Sequence, residues 1–136
     1  MNINIQEKMK ELFGNSCLGY CYAYIFTGFR EIKLLTQSFL NGWFYGFIDD
    51  DGFVSKPVEY INMLSNKKVC RDIENIPLND LKDLPEGGLF AVEYLYRGKS
   101  HFVVVWAEEK KIVFDPSYPS NSVRYGKPIS YRRIIQ

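Results

Sequence analysis

A single histidine and three cysteines are the side chains of this 136-residue sequence that are best suited to nucleophilic chemistry. A cysteine thiolate can attack a carbonyl carbon, and an imidazole beside it can accept the thiol proton and later return it. Because His101 is the only histidine, any chemistry of this kind has to use it. A pairing of His101 with one of the cysteines would therefore supply both a nucleophile and its base.

Cys21 is the preferred nucleophile on the local pattern. It lies near the predicted start of an apolar, ring-rich helix that follows the loop-forming residues Gly14 and Asn15. A thiol at that position feels the positive end of the helix dipole, which favours the thiolate. The unpaired backbone N–H groups there can also hold a developing oxyanion. The alternative is a buried cysteine that acts as a small apolar side chain, which is the commoner fate of this residue.

His101 and Asp115 are predicted to meet across a hairpin. His101 opens a strand directly after a turn at residues 97–100, and catalytic groups are often found where elements meet loops. The returning strand ends near residue 114, which brings residues 115–118 opposite His101. A carboxylate at Asp115 would fix the tautomer of the imidazole and stabilise the imidazolium. The alternatives are a structural histidine and an Asp-Pro pair that only starts a turn.

The elements that must position these residues change in type along the chain. Apolar spacing predicts helices in the first half and one more helical turn at residues 79–84. Alternating, β-branched and aromatic segments separated by turn residues predict strands in the second half. Helices followed by an antiparallel sheet indicate an α+β fold. The predicted helices cover residues 4–12, 16–28, 31–45 and 55–64, and the predicted strands cover residues 89–96, 102–106, 111–114 and 129–134.

Composition and charge restrict the class of protein. Hydrophobic residues make up 46% and charged residues 24%, which is the balance of a globular chain, and we expect one domain over residues 1–136. The net charge is +1 with no basic face, so we expect no nucleic-acid partner. We expect no membrane segment, because no apolar run approaches the ~20 residues that one needs. Three cysteines do not suggest a disulfide framework, and a reducing, cytoplasmic location is expected.

The segment around Cys21 resembles the active-site helix of papain-like cysteine peptidases. In that family an oxyanion-hole glutamine lies six residues before the nucleophile, which is followed by an aromatic residue, alanine and a second aromatic residue. Cys21–Tyr24 matches the pattern that follows the nucleophile, and Gly19 matches a glycine two residues before it. Asn15 stands where the family has glutamine.

The second half is similar to single-domain relatives of the double-glycine leader peptidases, a compact branch of the same superfamily. Those proteins have a strand reading His-Phe-Val-Val and a hairpin that leads to Asp-Pro, as at His101–Val104 and Asp115-Pro116 here. The Gly87-Gly88 pair and the hydrophobic strand after it also occur in the family's order. The resemblance covers about residues 13–118.

This resemblance implies a papain-like fold in which a central helix packs on a C-terminal antiparallel sheet. It implies hydrolysis of a peptide or amide bond in a peptide or protein substrate through a thioester, with no metal or organic cofactor. Cys21 would be the nucleophile, His101 the base and Asp115 the residue that orients it, with Asn15 as the oxyanion donor. Asparagine is one methylene shorter than glutamine, and losing such a donor costs about 10²–10³ in rate. Asn15 as a simple loop or cap residue is the alternative.

Four other interpretations stay open beside this one. Cys17 is a competing nucleophile, ranked lower because Glu11 stands six residues before it and no aromatic residue follows it. Cys17 and Cys21 could suggest a metal, but one histidine and the remote Cys70 support zinc poorly. The same scaffold could act as an amidase or acyltransferase. A non-catalytic peptide-binding module is the rival from another class of function.

Overall fold

The computed structural model describes the backbone of residues 3–136 and the side chains from residue 9 onward. In this part of the chain the four longer helices precede the strands, as predicted, and two short helices lie among the strands. The helices are α1 (Ile3–Gly14), α2 (Cys17–Thr27), α3 (Ile32–Phe44), α4 (Pro57–Ser65), the 3₁₀ helix η1 (Leu81–Asp83) and α5 (Asn121–Tyr125). The strands are β1 (Asp72–Pro77), β2 (Leu89–Tyr96), β3 (Lys99–Trp106), β4 (Lys111–Phe114) and β5 (Lys127–Ile135). The fold is α+β.

The strands form one antiparallel sheet in the order β1-β5-β2-β3-β4. β5 lies between β1 and β2, with Asp72 opposite Ile135 on one side and Val92 opposite Tyr131 on the other. β3 pairs with both β2 and β4, and its register with β4 is irregular between Val104 and Val105. The strand that begins with Lys99 is therefore held on both sides.

The core fills both faces of this sheet. Phe102 and Val104 belong to the cluster that includes buried residues of α2, α3 and α4. Val103 and Val105 belong to a second cluster with Leu78, Leu84 and neighbouring residues. Because successive side chains of a strand point to opposite faces, β3 is covered on both, as its apolar run predicts.

Helix α2 is the centre of the helical layer and is fixed by close contacts. Ser16 precedes its first residue, and Gly28 ends it in the left-handed region with φ 77°. The Tyr60 hydroxyl of α4 donates a buried hydrogen bond of 2.8 Å to the Gly19 carbonyl. A Cβ built on Gly19 would lie 2.7 Å from the Phe39 ring and 3.0 Å from Ile48. Glycine therefore lets α3 and the following loop approach α2 closely.

We expect Gly19→Ala to destabilise the protein by about 1–3 kcal/mol, because the added methyl group overpacks a core around the fully buried Phe39 ring. Gly14→Ala is the matched control, since nothing lies within 4 Å of the Cβ position at Gly14. Urea unfolding followed by circular dichroism measures both variants. Equal midpoints for Gly19→Ala and the parent protein would contradict the close packing of α2.

Candidate active site

Cys17 occupies the N-terminal end of α2. It is the first residue of the helix and is half-buried, with Ser16 at the N-cap position. The Tyr20 N–H already donates to the Ser16 carbonyl at 3.0 Å, so the helical ladder begins there. The backbone N–H groups of Cys17 and the next two residues have no partner within the helix. These groups can hold an anion beside Cys17, such as the oxyanion of a reacting carbonyl.

His101 and Asp115 are paired, as the predicted hairpin requires. The His101 Nε2 and the Asp115 Oδ1 are 2.6 Å apart, and the two side chains are 10% and 5% exposed. Asp115 follows the end of β4, and its Oδ1 also accepts the Ser117 N–H at 2.9 Å. A carboxylate on Nε2 leaves the Nδ1 of the same ring for a second partner.

Cys17 and His101 line one cleft of about 720 Å³, between the start of α2 and the start of β3. Burial lowers the pKa of His101, but its interactions with Cys17 and Asp115 outweigh burial and leave the pKa above its ordinary value. The thiol and the imidazole thus share one cleft, and the carboxylate is bonded to the Nε2 of the imidazole.

Cys21 does not belong to this group, which corrects the preference for it over Cys17. Its side chain is fully buried in the cluster beneath the helical layer and does not line the cleft. Burial first, and then the negative charges of Cys17 and Asp115, raise the pKa of Cys21 well above its usual range. A thiol of this kind stays protonated and inert at neutral pH. The physical reason is that α2 begins at residue 17, so that its N-terminal position belongs to Cys17.

Asn15 lies in the cleft lining and is exposed, two residues before Cys17. Its Nδ2 donates to the Asp51 carbonyl at 2.9 Å. A side-chain amide carries two N–H groups, so the second remains for a ligand in the cleft. The hydrogen bond also ties the loop that contains Asp51 to the end of α1. The close approach of Gly52 to the Leu12 carbonyl, where a Cβ would clash at 2.0 Å, has the same effect.

That loop is one wall of the cleft. Asp49 Oδ1 accepts the N–H groups of Asp51 and Phe53, both at 3.0 Å, which fixes the loop conformation. Phe53 and Val54 then line the cleft. An aspartate in a turn often accepts a hydrogen bond from the backbone N–H two residues later in the chain. Asp49 was therefore the residue in the sequence that could have predicted this fixed loop.

Arg132 is a second residue whose position the alternating pattern did not predict. Its Nη1 donates to Asn75 Oδ1 at 2.8 Å and to Ser130 Oγ at 3.0 Å, and its guanidinium lies 4.8 Å from the centre of the Phe102 ring. The side chain is 16% exposed and lines the cleft, so it is not on a solvated face.

Within the described residues, no group of three or more histidine, cysteine, aspartate or glutamate side chains is arranged to hold a metal ion. None of the helices in the same region has the length and apolar character needed to cross a bilayer.

Known proteins do not identify the chain. No family model, no curated protein and no solved structure matches it. A function for the chain therefore has to be argued from the geometry of the cleft.

Proposed function

We propose that this protein is a cysteine hydrolase that cleaves peptide or amide bonds through Cys17, with His101 as the base and Asp115 as the residue that orients it. One observation carries the proposal: a thiol at a helix N-terminus shares a cleft with an imidazole whose Nε2 is bonded to a buried carboxylate. Nucleophile, base and orienting group in this order are the requirement for covalent acyl transfer.

The reaction proceeds in two halves. His101 takes the Cys17 proton, and the thiolate attacks the substrate carbonyl to give a tetrahedral oxyanion. The Cys17 backbone N–H and the second N–H of Asn15 Nδ2 are the donors available to that oxygen. The imidazolium gives its proton to the leaving amine as the C–N bond breaks, which leaves a thioester on Cys17. Water, deprotonated by His101, then breaks the thioester and releases a carboxylic acid.

A papain-like assignment is part of this proposal. It is supported by a helix that begins at the nucleophile and packs on an antiparallel sheet bearing the histidine and the aspartate. The chain departs from the expected pattern in its oxyanion donor, because Asn15 lies two residues before Cys17 rather than six. Hydrolysis and transfer to another acceptor share the same thioester, so an acyltransferase differs only in what resolves that intermediate.

A peptide-binding module without turnover is the second candidate. It is favoured by the hydrogen bond from Asn15 Nδ2 to the Asp51 carbonyl, because this bond holds the amide to the loop rather than free in the cleft. In that case the cleft would retain its ligand, and no thioester would form.

Alkylation of the folded protein tests the nucleophile directly. With iodoacetamide at pH 7, we expect Cys17 to react faster than the cysteine of a short unstructured peptide, because His101 in the same cleft can accept its proton as the thiol reacts. Cys21 and Cys70 are buried and should react only after unfolding. Mass spectrometry of the digested protein locates the label.

His101→Ala is the control for this experiment, since it leaves Cys17 in place and removes its base. We expect the variant to label at the rate of the peptide thiol. A Cys17 that reacts no faster than the peptide in the parent protein would rule out an activated nucleophile.

A further inference from the structure

The two walls of the cleft differ in chemistry. Apolar side chains form the wall on the side of α1, α2 and the loop after α3, and they are Phe13, Leu18, Phe53 and Val54. Phe13 packs its ring 5.9 Å from that of the buried Phe39, so it is held in place. Phe53 is 55% exposed and presents an uncovered ring at the rim. This wall offers an apolar surface to a ligand.

The opposite wall is mainly polar and cationic. It consists of the start of β3 with Lys99, Ser100 and the ring of Phe102, together with Ser117 and Arg132. The charges of the other groups are already compensated: Asp115 is bonded to His101, and Arg132 has its hydrogen bonds and Glu93 at 3.9 Å. Among the described residues, Lys99 is exposed and forms no ion pair. Lys99 is thus the uncompensated charge of the cleft.

The direction of proton transfer in the proposed mechanism determines which half of a substrate contacts each wall. The base must give its proton to the leaving amine, so the amine half of a substrate has to lie beside His101. Lys99 is two residues before His101 on the same strand, and therefore flanks the amine half. The acyl half then contacts the apolar wall around Cys17.

We propose that the cleft selects amides whose acyl half carries a bulky apolar side chain and whose amine half carries a carboxylate that Lys99 binds. This inference rests on the proposed function, since it uses the direction of proton transfer. The carboxylate can be the free α-carboxylate of an amino acid or the side chain of an acidic residue. Both present the same planar anion to an ammonium group.

Three matched compounds test this preference. They share an N-acetyl-phenylalanyl acyl half, and their amine halves are glycine, neutral glycinamide, and aspartic acid α-amide, whose carboxylate is in its side chain. At low ionic strength we expect kcat/KM to be about three- to fivefold higher with a carboxylate than with glycinamide, as for an exposed ion pair. Added salt should reduce the preference. The glycine and aspartyl compounds distinguish the two sources of the carboxylate.

Two lysine variants locate the effect. Lys99→Met should remove the preference for carboxylate, whereas Lys111→Met, at an exposed lysine of β4 outside the cleft, should keep it. Exchanging the phenylalanyl group for alanyl should lower kcat/KM about tenfold or more, since a bulky apolar group is lost from its wall. Phe53→Ala should reduce the difference in kcat/KM between the phenylalanyl and alanyl compounds.

Protection of Cys17 from iodoacetamide by the same compounds gives a readout that needs no turnover. If the carboxylate compounds protect Cys17 better than the glycinamide compound but none is hydrolysed, the proposed hydrolase is wrong and the binding preference for carboxylate stands. Equal turnover or equal protection by the carboxylate and glycinamide compounds would overturn the inference, as would a carboxylate preference that survives Lys99→Met.

Discussion

Replacing Cys17 by alanine is expected to lower hydrolysis of N-acetyl-phenylalanine p-nitrophenyl ester at least about 10³-fold, to the rate of the reaction without enzyme. The reason is that no other described thiol shares the cleft with His101. Steady-state release of p-nitrophenol measures the effect, and the activated ester avoids dependence on the natural substrate.

Cys21→Ala is the matched control, one helical turn away on the same helix. Because Cys21 is buried and protonated, its alanine variant should keep the activity within a few-fold of the parent protein. Circular dichroism of both variants checks that α2 is intact. Activity that is lost with Cys21→Ala and kept with Cys17→Ala, in folded proteins, would contradict the assignment of the nucleophile.

Asp115→Asn is expected to lower kcat/KM for the same ester about 10²–10⁴-fold. An asparagine amide of the same size cannot stabilise the imidazolium, and it can bind the wrong tautomer of the ring. Asp83→Asn, at an exposed carboxylate of η1, should have no effect. Full activity in Asp115→Asn would show that the 2.6 Å contact with His101 has no catalytic role.

The same variant should shift the titration of His101. The pKa of His101 lies above its ordinary value of 6.5 because Cys17 and Asp115 favour the imidazolium more than burial opposes it. Removing the Asp115 charge lowers the pKa, so the acid limb of kcat/KM, where the base becomes protonated, should move to lower pH. The raised pKa also stabilises the fold below pH 6.5, and this contribution is lost as pH rises through the folded-state pKa. One imidazole resonance in the NMR spectrum reports the titration, since the chain has one histidine.

Much of the fold is predictable from the pattern of apolar residues. The helices before residue 65 and strands β2 and β4 follow the predicted segments closely, because each has a long periodic or alternating apolar pattern, whereas β3 begins at Lys99, three residues before its predicted start. β1 was not predicted, since Asp72–Pro77 is half polar, ends in proline and pairs on one side only. α5 was also missed, and its five residues are too few for a period to show.

The site was less predictable than the fold. The pairing of His101 with Asp115 followed from a local hairpin, whose register depends on few residues. The choice between Cys17 and Cys21 depended on where α2 begins, and element boundaries are the least certain part of any sequence pattern. Phe53 and Arg132 reach the cleft through tertiary contacts, which the local sequence does not encode.

The position of β5 inside the sheet has a consequence for how the protein is made. The hairpin of β3 and β4 is local, and it can bring His101 and Asp115 together as soon as residues 99–115 have left the ribosome. β1, by contrast, pairs with residues 130–135 and cannot join the sheet until they have been synthesised. Contacts between residues so distant along the chain also form slowly. Arg132, in the polar wall of the cleft, belongs to the same strand. During synthesis Cys17 and His101, the proposed nucleophile and base, are therefore present before the cleft is complete.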